Sequence, residues 1–171
     1  MTKFFLTLHV LAAILAVGPV TVAASMFPAA LRRAQADPRD PAALASLRLL
    51  QRICSVYAFV GVAVPITGFA TASSLNVLGS AWLIVSIVLT AAAAVVLIVL
   101  VLPRQEAALD AVAGRGGDGD STRGQLPEGT GVVAAKERTS SQLAMYTGVF
   151  NLLWATVTVL MIIRPGSTTG A

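Results

Sequence analysis

His9 is the one histidine of the chain, and it stands inside an apolar run, L-H-V-L-A-A-I-L-A-V-G-P, far from any carboxylate. With a helix starting near Phe4, its imidazole lies ~8 Å inside that run. An ionisable side chain at such a depth is a functional hypothesis in its own right. Two chemistries suit it. A neutral ring nitrogen can ligate haem iron or another metal, or the ring can be hydrogen-bonded to a neighbouring helix as a buried polar group. Three- and four-residue steps from His9 reach Ala12, Ala13, Ala16, Val20 and Ala23, a face small enough to admit another helix or a flat ring. His9 is therefore expected to point into the protein. Bis-histidine ligation within one chain is excluded, so a six-coordinate iron needs another ligand or a second copy. Met26 lies ~25 Å along the same helix and is out of reach. Met145 falls at the opposite end of the last apolar run, which leaves Met161 as the internal methionine at the right level, with ordinary packing as the competing account. Thr67, Thr71, Ser86 and Thr158 stand at comparable depth as partners for the imidazole proton.

Other reactive residues carry less. Cys54 is the single cysteine, so neither an intramolecular disulfide nor a multi-cysteine metal site is available, and a buried apolar thiol is expected. Asp118, Asp120 and Thr122 spell a D-x-D-x-T pattern, but a nucleophilic aspartate of that kind needs a preceding strand in an α/β domain, and here the surroundings are glycine. No glutamate follows at the spacing a calcium loop requires. Gly18 and Pro19 in the first apolar run, and Gly61, Pro65 and Gly68 in the second, mark broken or bent helices, which line cavities in transporters and also occur in ordinary membrane packing. Ala144, Gly148, Asn151 and Ala155 share a face of the last run, a packing seam with one polar clasp.

These residues must be positioned by membrane-length elements. In a chain of 171 residues, 56% hydrophobic and 12% charged, the composition fits lipid as the solvent. Four apolar stretches long enough to span a bilayer, without Asp, Glu, Lys or Arg and without period-two alternation, cover residues 4–27, 53–72, 78–102 and 143–163. The fold class predicted is all-α: a polytopic membrane protein, an antiparallel bundle of four transmembrane helices at about 4–27, 42–74, 78–102 and 134–163, forming one domain. Asp40 followed by Pro41 is a helix start, so the second helix begins in water. The first run is longer than a signal-peptide core and is followed by Arg32 and Arg33, which predicts a retained span. Residues 114–131, rich in glycine and mixed charge, are predicted to be a flexible cytoplasmic linker. Basic residues gather in the first connection (Arg32, Arg33, Arg39, Arg48, Arg52) and the third (Arg104, Arg115, Arg123, Lys136, Arg138). By the positive-inside rule both connections are cytoplasmic and both termini lie outside. The net charge is +4, but the basic residues are split between these two connections, with no continuous basic stripe that would suit nucleic acid. Trp82, at the outer end of the third span, suits an interfacial anchor.

The opening L-H-V-L-A-A-I-L-A-V-G-P, a basic first loop and three further spans resemble the bacterial predicted integral membrane proteins grouped as domain of unknown function 2269. A histidine followed by small residues is also similar to the four-helix haem-binding protoporphyrinogen oxidases and to copper-resistance D-type membrane proteins. The resemblance implies a bacterial plasma membrane location, haem b or a metal on His9, and Gly18 as a glycine of close approach. Ala16 and Pro19 stand where those families carry a tryptophan and a second glycine.

Three functions are open at this point. The first is a noncatalytic or accessory membrane subunit, whose partners are lipid and either its own copies or a larger complex; it follows from spans that hold no charged residue for proton relay or substrate binding. The second is a haem-bearing redox protein or oxidase with His9 as axial ligand. The third is a small dimeric transporter, which would lack the membrane carboxylate that proton-coupled export needs.

Overall fold

The computed structural model describes residues 2–117 and 130–166. Six α-helices and one π-helical segment follow in order: α1 (Thr2–Ala36), α2 (Pro41–Val60), α3 (Ala63–Ser74), α4 (Ala81–Val95), the π segment (Val96–Val101), α5 (Leu102–Gly117) and α6 (Thr130–Ile163). There is no strand among the described residues. Four helical stretches, Lys3–Ala36, Pro41–Ser74, Ala81–Gly114 and Glu137–Ile163, are long and apolar enough to cross a membrane.

Prolines decide where these stretches depart from regular helix. The second was expected to be continuous over 42–74. Instead it breaks between α2 and α3, because Pro65 has no N–H and its ring crowds the carbonyl four residues back, at Gly61. The turn tightens: the Val62 N–H donates to the Phe59 carbonyl and the Val64 N–H to the Gly61 carbonyl, both at 3.1 Å. Gly61 permits this, since a Cβ there would stand 3.1 Å from the Ala58 oxygen and 3.3 Å from that of Tyr57.

The third was expected to end at 102, before Pro103, but helix continues to Gly117. The chain widens into the π segment just ahead of the proline, and the Leu102 N–H donates to the Leu97 carbonyl five residues back. This wider turn absorbs the proline that would otherwise stop the helix. Arg104 Nη1 donates to the Leu100 carbonyl at 3.0 Å. In the first stretch, α1 runs through both Pro19 and Pro28.

Of the predicted linker over 114–131, residues up to Gly117 and from Thr130 are helical, and residues 118–129, with Asp118, Asp120 and Thr122, lie outside the described residues. The predicted start of α2 is found: Asp40 Oδ1 accepts from the Ala42 N–H at 2.9 Å, with Pro41 in the first turn.

α1 is 35 residues long, ~52 Å at 1.5 Å per residue, well over the ~30 Å of a hydrocarbon core. Its later turns meet the early turns of α2 and parts of α5 and α6 in a cluster of Phe27, Leu31, Leu47, Ala108, Val112 and Leu143. Mid-length, Val20 packs with Ala93, Leu97, Val101 and Phe150. The third and fourth stretches are tied at both ends, by the Arg104 guanidinium 4.6 Å from the Tyr146 ring centroid and Arg164 5.8 Å from that of Trp82. Trp82, predicted as an interfacial anchor, is buried beneath that contact. Small residues such as Ala16, Ala23, Ala24 and Ala93 are buried alongside these larger ones, while many large apolar side chains, among them Phe59, Phe69, Leu152 and Ile162, are exposed. In water so much exposed apolar surface would be an aggregation liability.

Candidate functional site

His9 lies seven residues after the start of α1 and Gly68 six before the end of α3, so the packing of these two helices brings them to one level. As expected, His9 is buried, on the face that continues through Ala16, Val20 and Ala23. Its Nδ1 is 3.1 Å from the Val64 carbonyl oxygen and 3.2 Å from Thr67 Oγ1. The Val64 oxygen can only accept. Thr67 directs its single proton back to α3, at 2.8 Å from the Ala63 carbonyl oxygen. These partners assign the proton to Nδ1, which donates to Val64. Nε2 keeps its lone pair and has no hydrogen-bond partner among the described residues.

Of the four hydroxyls placed at this depth by sequence, only Thr67 bonds the ring. Thr71, Ser86 and Thr158 donate to carbonyls four residues back on their own helices. Met161 is half-buried near the end of α6; its carbonyl accepts from Arg164 Nε at 3.4 Å, and no hydrogen bond joins it to His9. Gly18, expected as the glycine of close approach, is exposed, and a Cβ there would meet no atom within 4 Å. The close approach belongs to Gly68, where a Cβ would stand 2.9 Å from His9 Cε1 and 3.3 Å from Nδ1. The available signal was depth: Gly68 matches His9 when the two helices are counted from the same side.

A haem fits this pocket poorly. A macrocycle bound through Nε2 spreads several ångströms on every side of the bond, and the α3 backbone at Gly68 already covers the adjoining Cε1 edge of the ring. Among the described residues no group of three or more His, Cys, Asp or Glu side chains is placed to hold a metal ion.

Two further features lie between the helices. A cavity of about 150 Å³ lies between the four stretches, with Ala16, Ala58, Gly61, Leu97 and Trp154 in its wall, and His9 takes no part in it. Towards the α5 side, Gln105 is fully buried and donates from Nε2 to Cys54 Sγ at 3.7 Å, while its Oε1 has no partner. Sequence reasoning passed over Gln105 because it follows Pro103 and Arg104, where the helix was expected to have ended. The seam of α6 is half-used: Asn151 Nδ2 donates to Ser25 Oγ of α1 at 3.2 Å, but Ala144, Gly148 and Ala155 are exposed, with nothing within 4 Å of a Cβ at Gly148.

Comparison of the chain with protein-family models, with curated proteins and with solved structures found no match.

Proposed function

We propose that this protein is a noncatalytic subunit or accessory protein of a membrane assembly. It lies in the bacterial plasma membrane as an antiparallel bundle of four transmembrane helices, with its basic connections in the cytoplasm and both termini outside. The observation that carries this reading is the outward face of α6. Ala144, Gly148 and Ala155 are exposed and Gly148 has open space before it, which is the surface on which a second membrane helix can approach closely. The pairing of early α1 with α3 and of late α1 with early α2 supports the antiparallel arrangement, and the division of Arg and Lys between alternate connections supports the orientation. His9 serves here as a clasp between α1 and α3.

The test is mass measurement of the protein extracted with its native lipid. The intact chain is expected as an oligomer or a complex, and Gly148→Leu as the free chain, with Val149→Leu as the control. A monomeric wild-type protein that retains a stoichiometric chromophore sinks the proposal.

A second reading, metal or haem ligation, is favoured by the unpartnered Nε2 of His9. It requires a second copy or partner to complete the ligand set, since the chain carries a single histidine and no group of three or more metal-ligating side chains is found among the described residues. A reduced-minus-oxidised spectrum with a Soret band that His9→Ala abolishes supports it. An unchanged band in that variant excludes His9 as the ligand.

A further inference from the structure

The central cavity differs from the His9 pocket in position and chemistry. Ala16, its wall residue nearest to His9 along α1, is seven residues on, ~10 Å along the helix. Two backbone irregularities border it: Gly61, Val62 and Pro65 from the break between α2 and α3, and Leu97 and Ile98 from the π segment. Within a bilayer, irregular backbone is tolerated where it is buried in protein or lines a cavity, and π turns are frequent at functional sites.

Its wall residues also bring hydrogen-bond donors without partners. The Thr90 hydroxyl is committed, donating to the Ser86 carbonyl at 2.8 Å. The Tyr57 hydroxyl and the Trp154 indole N–H, on half-buried side chains of α2 and α6, have no hydrogen-bond partner among the described residues and are free to donate to a bound molecule. Both groups donate, so what complements them is an acceptor. The rest of the wall is almost entirely aliphatic or aromatic, and the cavity opens to the surface beside exposed Val62, Ala94 and Ile98, with a volume that matches a benzene-sized ring.

From this geometry we infer that the central cavity binds a small, mainly apolar molecule bearing a carbonyl-type oxygen, which accepts from Tyr57 and Trp154. A membrane-borne ring compound and a free aromatic ketone or ester share that chemistry. The inference does not depend on the assembly role proposed above, because every wall residue belongs to one chain.

The experiment uses the full chain in lipid nanodiscs with ¹⁵N-labelled tryptophan, the Trp154 indole resonance being assigned with Trp82→Phe. Acetophenone is the probe, and ethylbenzene is its counterpart without the acceptor. Acetophenone is expected to move the Trp154 N–H resonance downfield and saturably. Ethylbenzene and the Tyr57→Phe variant are each expected to bind about five-fold more weakly, the worth of one net hydrogen bond. Ala58→Leu and Ala94→Leu, which fill the cavity from different helices, are expected to abolish the effect; Ala94, at an exposed position, keeps the test sound if Ala58→Leu does not fold. A shift linear in concentration and identical in the filled variants means partition into lipid and overturns the proposal. Saturable binding of equal strength for both probes overturns the acceptor-bearing class. A carbonyl compound that co-purifies, seen by mass spectrometry after solvent extraction, marks the membrane-borne source. A Trp154 resonance that moves only on titration marks the free one, and both agree with the inference.

Discussion

Gly68→Ala should change the sign of its effect according to whether His9 is present. A methyl group at position 68 would stand 2.9 Å from His9 Cε1, inside the 3.4–4 Å of ordinary contact. The ring cannot simply turn away, because Nδ1 is held by the Val64 carbonyl at 3.1 Å. If it swings, it leaves a buried N–H unsatisfied, at ~1–3 kcal/mol. If α3 retreats instead, the overpacking strain is of the same order, ~1–3 kcal/mol. Replacing a helical glycine by alanine returns ~1 kcal/mol of propensity, so the net loss of stability is about 0–2 kcal/mol. In the His9→Ala background the methyl meets no ring and only the propensity gain remains, so Gly68→Ala should stabilise by up to ~1 kcal/mol. The assay is a double-mutant cycle of unfolding in mixed micelles of rising sodium dodecyl sulfate content, followed by far-ultraviolet circular dichroism. The coupling expected is about 1–3 kcal/mol, the propensity gain cancelling between the two backgrounds. Equal destabilisation by Gly68→Ala in both backgrounds would refute the clasp between α1 and α3.

Further predictions concern the same helices. Leu47, fully buried among residues of all four stretches, should cost ~2–5 kcal/mol when changed to alanine, whereas the same change at exposed Leu49 should stay within ~0.5 kcal/mol; the same micelle titration compares them. Asp40→Ala removes the acceptor of the Ala42 N–H and should destabilise by ~1 kcal/mol, with faster hydrogen exchange confined to the first turn of α2. Gln105→Leu removes a buried carbonyl oxygen that has no partner and one long bond to Cys54. It should be neutral or stabilising in thermal unfolding, and a loss above ~2 kcal/mol would show that Oε1 is satisfied in the working protein.

How much was legible in the sequence depended on whether the signal was local. Capping at Asp40 was readable because donor and acceptor lie two residues apart. The inward direction of His9 was readable because small residues recur at helical steps from it. The π segment was not, since a proline after a long apolar run reads equally as a helix end and as a helix that widens to pass it. Gly18 and Gly68 are alike as letters in apolar helices, and only the packing of α1 on α3 separates the glycine that faces open space from the one beneath an imidazole.

By itself, then, the sequence determined four apolar helical stretches, their alternating basic connections and the burial of His9, because helix length, charge and periodicity act within one segment. The tertiary structure alone decided that the proton of His9 sits on Nδ1 and goes to Val64. It also decided that the α6 seam looks outward and that the irregular turns of two helices border one cavity. Each of these depends on which faces of distant segments meet, and that is set by the packing of whole helices against one another.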